Sequence, residues 1–208
     1  MNPALWPVCR LWVRLRRGRV PPPSVPDPVW YFAYGSNMNE RLFRERRHMT
    51  PIETRIGRLT NYRLCFSVAG GMRPGVSAPA DIADDPGGTV HGVLYLLPLG
   101  KFVRLDASEG TQYGYLWTEA EDTEGNRLPV VTYKLRWPAS DGRPSLRYLN
   151  LLREAARQRG LPPEVSAFLD GVEAREWRKP SRDVGGIAGG PSAAPWSALS
   201  PFFGCCGA

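Results

Sequence analysis

Residues 29–37 read VWYFAYGSN. The β-branched and aromatic side chains at its start have the composition of a strand packed on a pleated, buried surface. The last four residues have the composition of a turn, in which Gly35 is free to adopt backbone angles barred to other residues. Such a turn leaves successive N–H groups pointing one way, a nest for an anion or a carbonyl oxygen. For those four residues alone, an ordinary strand-to-helix connection is the plainer reading.

Working outward from this stretch, Asn37 or Asn39 is placed to cap a helix across 40–47. IETRIGRLTNYRLCFSV (52–68) offers two strand-like pieces broken near Thr60 and Asn61. A Gly/Pro loop at 69–75 follows, and SAPADIA (77–83) adds a short strand. TVHGVLYLL (89–97) is a strand by its β-branched and aromatic content. Pro98 opens a helix over 99–107 that stops at Ser108-Glu109-Gly110. YLWTEAE and RLPVVTYKL flank DTEGN and predict a β-hairpin over 115–135. Ser145 caps a helix running to Gln158, with Leu149, Leu152 and Ala156 on one face. Pro162 and Pro163 start a final helix ending near 173. Many strands, scattered helices and few β-α-β alternations predict an α+β fold, a small mixed barrel-like sheet with flanking helices.

The chain has 208 residues, room for one domain with a sizeable core. Its 21 Pro and 22 Gly concentrate in loops and at the two ends. The expected organisation is an Arg/Pro-rich disordered extension over 1–28, one folded domain over 29–174, and a disordered Gly/Pro/Ser-rich tail over 175–208. Residues 1–26 faintly resemble an organelle transit peptide, but the prolines at 21–23 oppose a long amphipathic helix there. Of the net charge of +7, the head carries +4, the tail +2 and the domain only +1. A nucleic-acid binder carries its basic face on the folded domain, so no nucleic-acid partner is expected. The most basic local run, RLFRERRH (41–48), reads as a solvated helix face. No run of apolar residues is long enough to span a bilayer, so no membrane partner is expected.

Cys9, Cys65, Cys205 and Cys206 form no C-x-x-C pair and suggest neither a zinc site nor a disulfide framework. A domain indifferent to redox state fits the cytoplasm. His48 and His91 are the only histidines and lack metal-ligand spacing. No Walker loop, dinucleotide fingerprint or G-x-S-x-G elbow occurs. Neither a metal nor a cofactor is therefore expected. Among the carboxylates, Glu109 differs from those in polar turns because LDASEGTQYGY places it between an apolar helix and a glycine. A carboxyl partly buried at such a junction suits a group that takes and returns a proton. From local sequence, a surface acid at a helix end is an equal reading.

Taken together, YFAYGSNM, HGVLYLL, LDASEG and PSLRY, in that order across 29–173, resemble the γ-glutamylcyclotransferase family. The resemblance implies a small mixed α+β barrel, a cofactor-free reaction, and a small-molecule γ-glutamyl amide cleaved to 5-oxoproline and a free amine. It implies Glu109 as the catalytic carboxylate. It implies substrate contacts at Tyr31, Phe32, Ala33, Tyr34, Gly35, Ser36, Asn37 and Tyr148. The oligomeric state is left open between monomer and homodimer. The chain departs from the pattern at Leu116, where many members carry Tyr two places after the glycine matching Gly114. Either a bulge restores the neighbouring Tyr115 or one contact is missing. A γ-glutamylamine or γ-glutamyl-metabolite cyclotransferase, and a non-catalytic ligand-binding member, are the alternative functions.

Overall fold

The structure is a computed structural model and describes residues 25–69, 77–110 and 112–175. Six strands are present among these: β1 (Val29–Ala33), β2 (Glu53–Ala69), β3 (Ala80–Leu97), β4 (Tyr113–Asp122), β5 (Arg127–Leu135) and β6 (Pro138–Asp141). The helices are α1 (Leu99–Ala107), α2 (Leu146–Gln158) and α3 (Pro163–Gly171). A short 3₁₀ turn at Ser36–Met38 and a π-helical turn at Leu42–Arg46 follow β1.

The sheet order β3-β1-β5-β4-β2 closes on itself because β2 also pairs with β3, and β6 adds to the far end of β2. The result is the expected α+β barrel-like sheet with flanking helices. β1 runs antiparallel to β3 and parallel to β5. It is therefore a central strand buried on both faces, which explains its unbroken apolar and aromatic composition. Phe43 stacks on Tyr95 at 4.0 Å, and Tyr31 packs against Tyr95 and Tyr133 at 6.4 and 5.7 Å.

Two long strands replace four expected pieces. β2 is continuous through Asn61, and β3 is continuous through Asp84-Asp85-Pro86-Gly87-Gly88. Pairing persists on both sides, Thr60 opposite Thr89 and Tyr62 opposite Asp84, with a bulge between. Asn61 adopts φ 66° and Gly87 φ 83°, and the Gly87 N–H donates to Asn61 Oδ1 at 3.2 Å. The residues with turn composition thus bend a two-stranded ribbon without ending it. Closure of the ribbon demands close backbone approach at Gly92, where an added Cβ would lie 2.3 Å from the Ala33 carbonyl oxygen.

The β4–β5 hairpin forms as expected, and Asp122 in its turn accepts hydrogen bonds from Arg55 and Asn126. Its register is unbroken from Tyr113 to Glu121, so no bulge moves Tyr115 into the place of Leu116. The Ser145 side chain caps α2 by accepting from the Tyr148 N–H, and Leu149, Leu152 and Ala156 are buried. β6 lies between the hairpin and α2 and extends the end of β2. Val25 is fully buried and Asp27 Oδ1 accepts from the Leu99 N–H at 2.9 Å, so ordered packing begins ahead of the expected start at 29. Beyond these residues and Arg175, the expected extension and tail lie outside the described residues. Among the described residues, no helix is long and apolar enough to cross a membrane.

Candidate functional site

A cavity of about 50 Å³ opens where the C-terminal end of β1 meets the start of β4 and the first turn of α2. Tyr31, Tyr34, Gly35, Ser36 and Asn37 line one side, while Glu109 and Tyr148 approach from the segment after α1 and from α2. Seven of the nine residues singled out in the sequence therefore share one cavity. Phe32 and Ala33 do not line it: both are buried core positions, and the Phe32 ring lies over Gly92. Successive strand residues face opposite ways, so a contiguous motif in a strand cannot place every member in one site.

Glu109 is the one carboxyl group lining the cavity among the described residues, and its side chain is 14% exposed. Asn37 Nδ2 donates to Glu109 Oε1 at 3.0 Å and to the Tyr31 hydroxyl at 2.8 Å. Arg47 Nη1 lies 3.3 Å from the same Oε1 and also donates to Ser108 Oγ. Both contacts fall on Oε1, so Oε2 has no protein partner among the described residues. Asn37 Oδ1 is likewise buried, with no donor from the described residues. Buried polar atoms are nearly always satisfied, and the described residues supply no donor to this one.

Gly35 has φ −114°, outside the left-handed region that favours glycine. Its constraint is space: an added Cβ would sit 3.3 Å from the Tyr148 hydroxyl. That hydroxyl accepts from the Ala80 N–H at 3.1 Å, which ties α2 to the start of β3. The Tyr34 hydroxyl donates to the Tyr133 carbonyl at 2.7 Å.

Three contributors carry no local signature in the sequence. Tyr113, whose hydroxyl donates to the Ala80 carbonyl at 2.9 Å, and Tyr133 line the cavity from β4 and β5. Arg47 reaches Glu109 from the end of the π-helical turn. Barrel closure brings these together across large sequence separations. Tyr113 sits one residue before Gly114, so the tyrosine supplied to the cavity by β4 precedes the glycine, while Tyr115 packs on Phe102. Burial raises the phenol pKa values of Tyr31, Tyr34, Tyr113, Tyr133 and Tyr148 above the ordinary range. These groups therefore stay neutral at physiological pH, and they serve as hydrogen-bonding walls and not as proton acceptors.

Residues 89–169 match the model of the AIG2-like family. The chain is 32% identical over 165 residues to the γ-glutamyl cyclotransferase aclK of Aspergillus oryzae, covering 67% of this chain and 59% of that protein. It is 32% identical over 154 residues to the γ-glutamyl cyclotransferase verK of Clonostachys rogersoniana, covering 61% of this chain and 84% of that one. In fold it is similar to a solved γ-glutamyl cyclotransferase structure, with a TM-score of 0.63 at 24% identity over 73% of this chain and 92% of that chain.

Proposed function

Because this chain belongs to the γ-glutamyl cyclotransferase family, we propose that it cleaves γ-glutamyl amides by intramolecular cyclisation, releasing 5-oxoproline and a free amine, with Glu109 as the proton shuttle. The observation that carries this reading is the Glu109 carboxylate in the cavity, tied through Oε1 to Asn37 and Arg47 with Oε2 left for substrate.

A γ-glutamyl group contains its own nucleophile. The free α-amine attacks the γ-carbonyl carbon, a five-membered ring forms, and the original amide C–N bond breaks. Glu109 Oε2 takes the proton released by the attacking nitrogen and returns it to the departing one, so no water is consumed and no redox partner is needed. Folding the substrate so that its two ends meet supplies up to about 7–11 kcal/mol in the best intramolecular cases. The backbone N–H groups of Tyr34, Gly35 and Ser36 are the proposed donors to the carbonyl oxygen as it gains charge. Asn37 Oδ1 is the proposed acceptor for the α-amine, and Tyr148 closes the cavity opposite Gly35. Nothing in this chemistry calls for a metal or cofactor.

Cys65 is not in a disulfide, in keeping with a reducing compartment, and the cytoplasm is the proposed location. The test is a panel of γ-glutamyl amino acids, glutathione and γ-glutamylamines with 5-oxoproline measured as product. Release from at least one class supports the reading. Binding without release from any of them would make the chain a ligand-binding member of the family.

A further inference from the structure

Asp106 carries a carboxyl group that the proposed chemistry leaves unused. It stands in the last turn of α1, three residues before Glu109 in the block LDASEG, and it is completely buried. Taking a carboxyl group out of water is costly, and a well-packed apolar side chain of similar size in such a place is often neutral or stabilising. Packing alone therefore does not account for an acid here.

Both the side chain and the backbone of Asp106 are engaged. Its Oδ1 accepts from the Tyr133 hydroxyl at 3.1 Å, and its carbonyl accepts from the Glu109 N–H at 3.0 Å. Tyr133 in turn accepts, at its own carbonyl, from the Tyr34 hydroxyl at 2.7 Å. A path of hydrogen bonds thus runs from the turn after β1, across β5, to the end of α1 and the backbone of Glu109. Burial first, and then the Asp106 carboxyl, push the Tyr133 phenol well above its ordinary range, so its proton stays on the oxygen and is donated to Asp106. The Tyr133 ring is itself hemmed in by Tyr31, Phe102 and Tyr115, with centroids at 5.7, 6.3 and 5.8 Å. Asn37 and Arg47 hold the far end of the Glu109 side chain, whereas Asp106 holds its backbone.

We infer that Asp106 is a positioning residue: through Tyr133 it locks the end of α1 to the cavity wall, and so sets the distance between the turn proposed to cradle the substrate and the Glu109 carboxylate. It takes no part in the proton transfer itself. This role rests on the cyclotransferase reading and adds to it a residue that acts through Glu109.

The test takes the γ-glutamyl substrate that the full-length wild type turns over fastest, and measures kcat, KM and Tm for Asp106→Leu, Asp106→Asn and Asp106→Leu/Tyr133→Phe. A misplacement of about 1 Å can cost about a hundredfold in rate, so kcat of Asp106→Leu should fall about 10- to 100-fold. KM should change far less, because the turn at Gly35–Asn37 is untouched. Asp106→Asn keeps an oxygen that accepts from Tyr133 and should recover most of the loss. Asp106→Leu leaves the buried Tyr133 hydroxyl unpaired and should lower Tm, whereas removing both partners together is nearly neutral for stability. In the double variant Tm should therefore return toward wild type while kcat stays low. Return of kcat together with Tm would reduce Asp106 to a structural role and overturn the inference. Wild-type kcat in folded Asp106→Leu, or a loss confined to KM, would overturn it as well. Should Asp106→Leu not fold, the double variant carries the comparison with wild type. Once Glu109 is Gln, the change at Asp106 should cost much less kcat, and an equal fold-loss in both backgrounds would count against action through Glu109. All of these failures leave the cyclotransferase reading in place. Absence of 5-oxoproline from the wild type with every γ-glutamyl substrate removes that reading, and the role of Asp106 with it.

Discussion

Replacing Asn37 by Ala removes both of its Nδ2 hydrogen bonds, to Glu109 Oε1 at 3.0 Å and to the Tyr31 hydroxyl at 2.8 Å. A hydrogen bond to a charged group is worth about 1.5–3 kcal/mol, and each 1.36 kcal/mol lost from transition-state stabilisation is tenfold in rate. Arg47 retains the second tether on the same oxygen. The lower part of that range therefore applies, and kcat should fall about 10- to 30-fold. Leaving the buried Tyr31 hydroxyl without its donor costs about 1–3 kcal/mol. For a domain of this size that lowers Tm by about 2–12 °C. Rates should accordingly be measured well below Tm, by single-turnover release of 5-oxoproline. The decisive comparison is a double-mutant cycle with Glu109→Gln, because contacting groups that act together are not additive. If Asn37 acts mainly by holding Glu109, then Asn37→Ala costs much less kcat once Glu109 is Gln, where only the proposed Oδ1 contact with the α-amine remains to be lost. An equal fold-loss in both backgrounds would refute the reasoning.

Two further outcomes test the scaffold. Gly92→Ala puts a Cβ 2.3 Å from the Ala33 carbonyl, a backbone clash that side-chain movement cannot relieve. Urea unfolding should show a loss of at least about 1–3 kcal/mol, and wild-type stability would mean that β1 and β3 are not packed this closely. Asp122 has its carboxyl pKa lowered first by the Asn126 side chain, then by Arg55 and nearby backbone N–H groups. Its contribution is therefore present above the unfolded carboxylate value of about 3.9 and disappears as pH falls through the lower folded value. Asp122→Asn should be less stable than wild type at pH 7, and the gap should close under acid. A gap that persists at low pH would assign the loss to packing.

The elements with strong local chemistry were legible in the sequence. Val29–Ala33 carries strand composition, Ser145 caps α2 ahead of its apolar face, and DTEGN turns the β4–β5 hairpin. The long β2–β3 ribbon was not legible, because Asn61 and Asp85-Pro86-Gly87-Gly88 have turn composition whether they end a strand or bulge within one. The site divides in the same manner. Gly35, Ser36, Asn37 and Glu109 stand in recognisable blocks, whereas Tyr113 and Tyr133 reach the cavity only through barrel closure, and Arg47 reaches Glu109 only from the π-helical turn. Phe32 shows the converse: it belongs to the block by adjacency, but the pleat of β1 sends it to the core.

The central claim, that Glu109 shuttles the proton in ring closure, is tested most directly by 5-oxoproline release from Glu109→Gln. The amide keeps the size of the side chain and can still contact Asn37 and Arg47, but it cannot accept the proton of the attacking amine. General acid–base groups contribute about 10²–10⁴-fold. A variant shown by circular dichroism to be folded should therefore turn over at least about a hundredfold more slowly, with substrate binding changed far less. Release of 5-oxoproline at close to the wild-type rate by the folded variant would contradict the assignment.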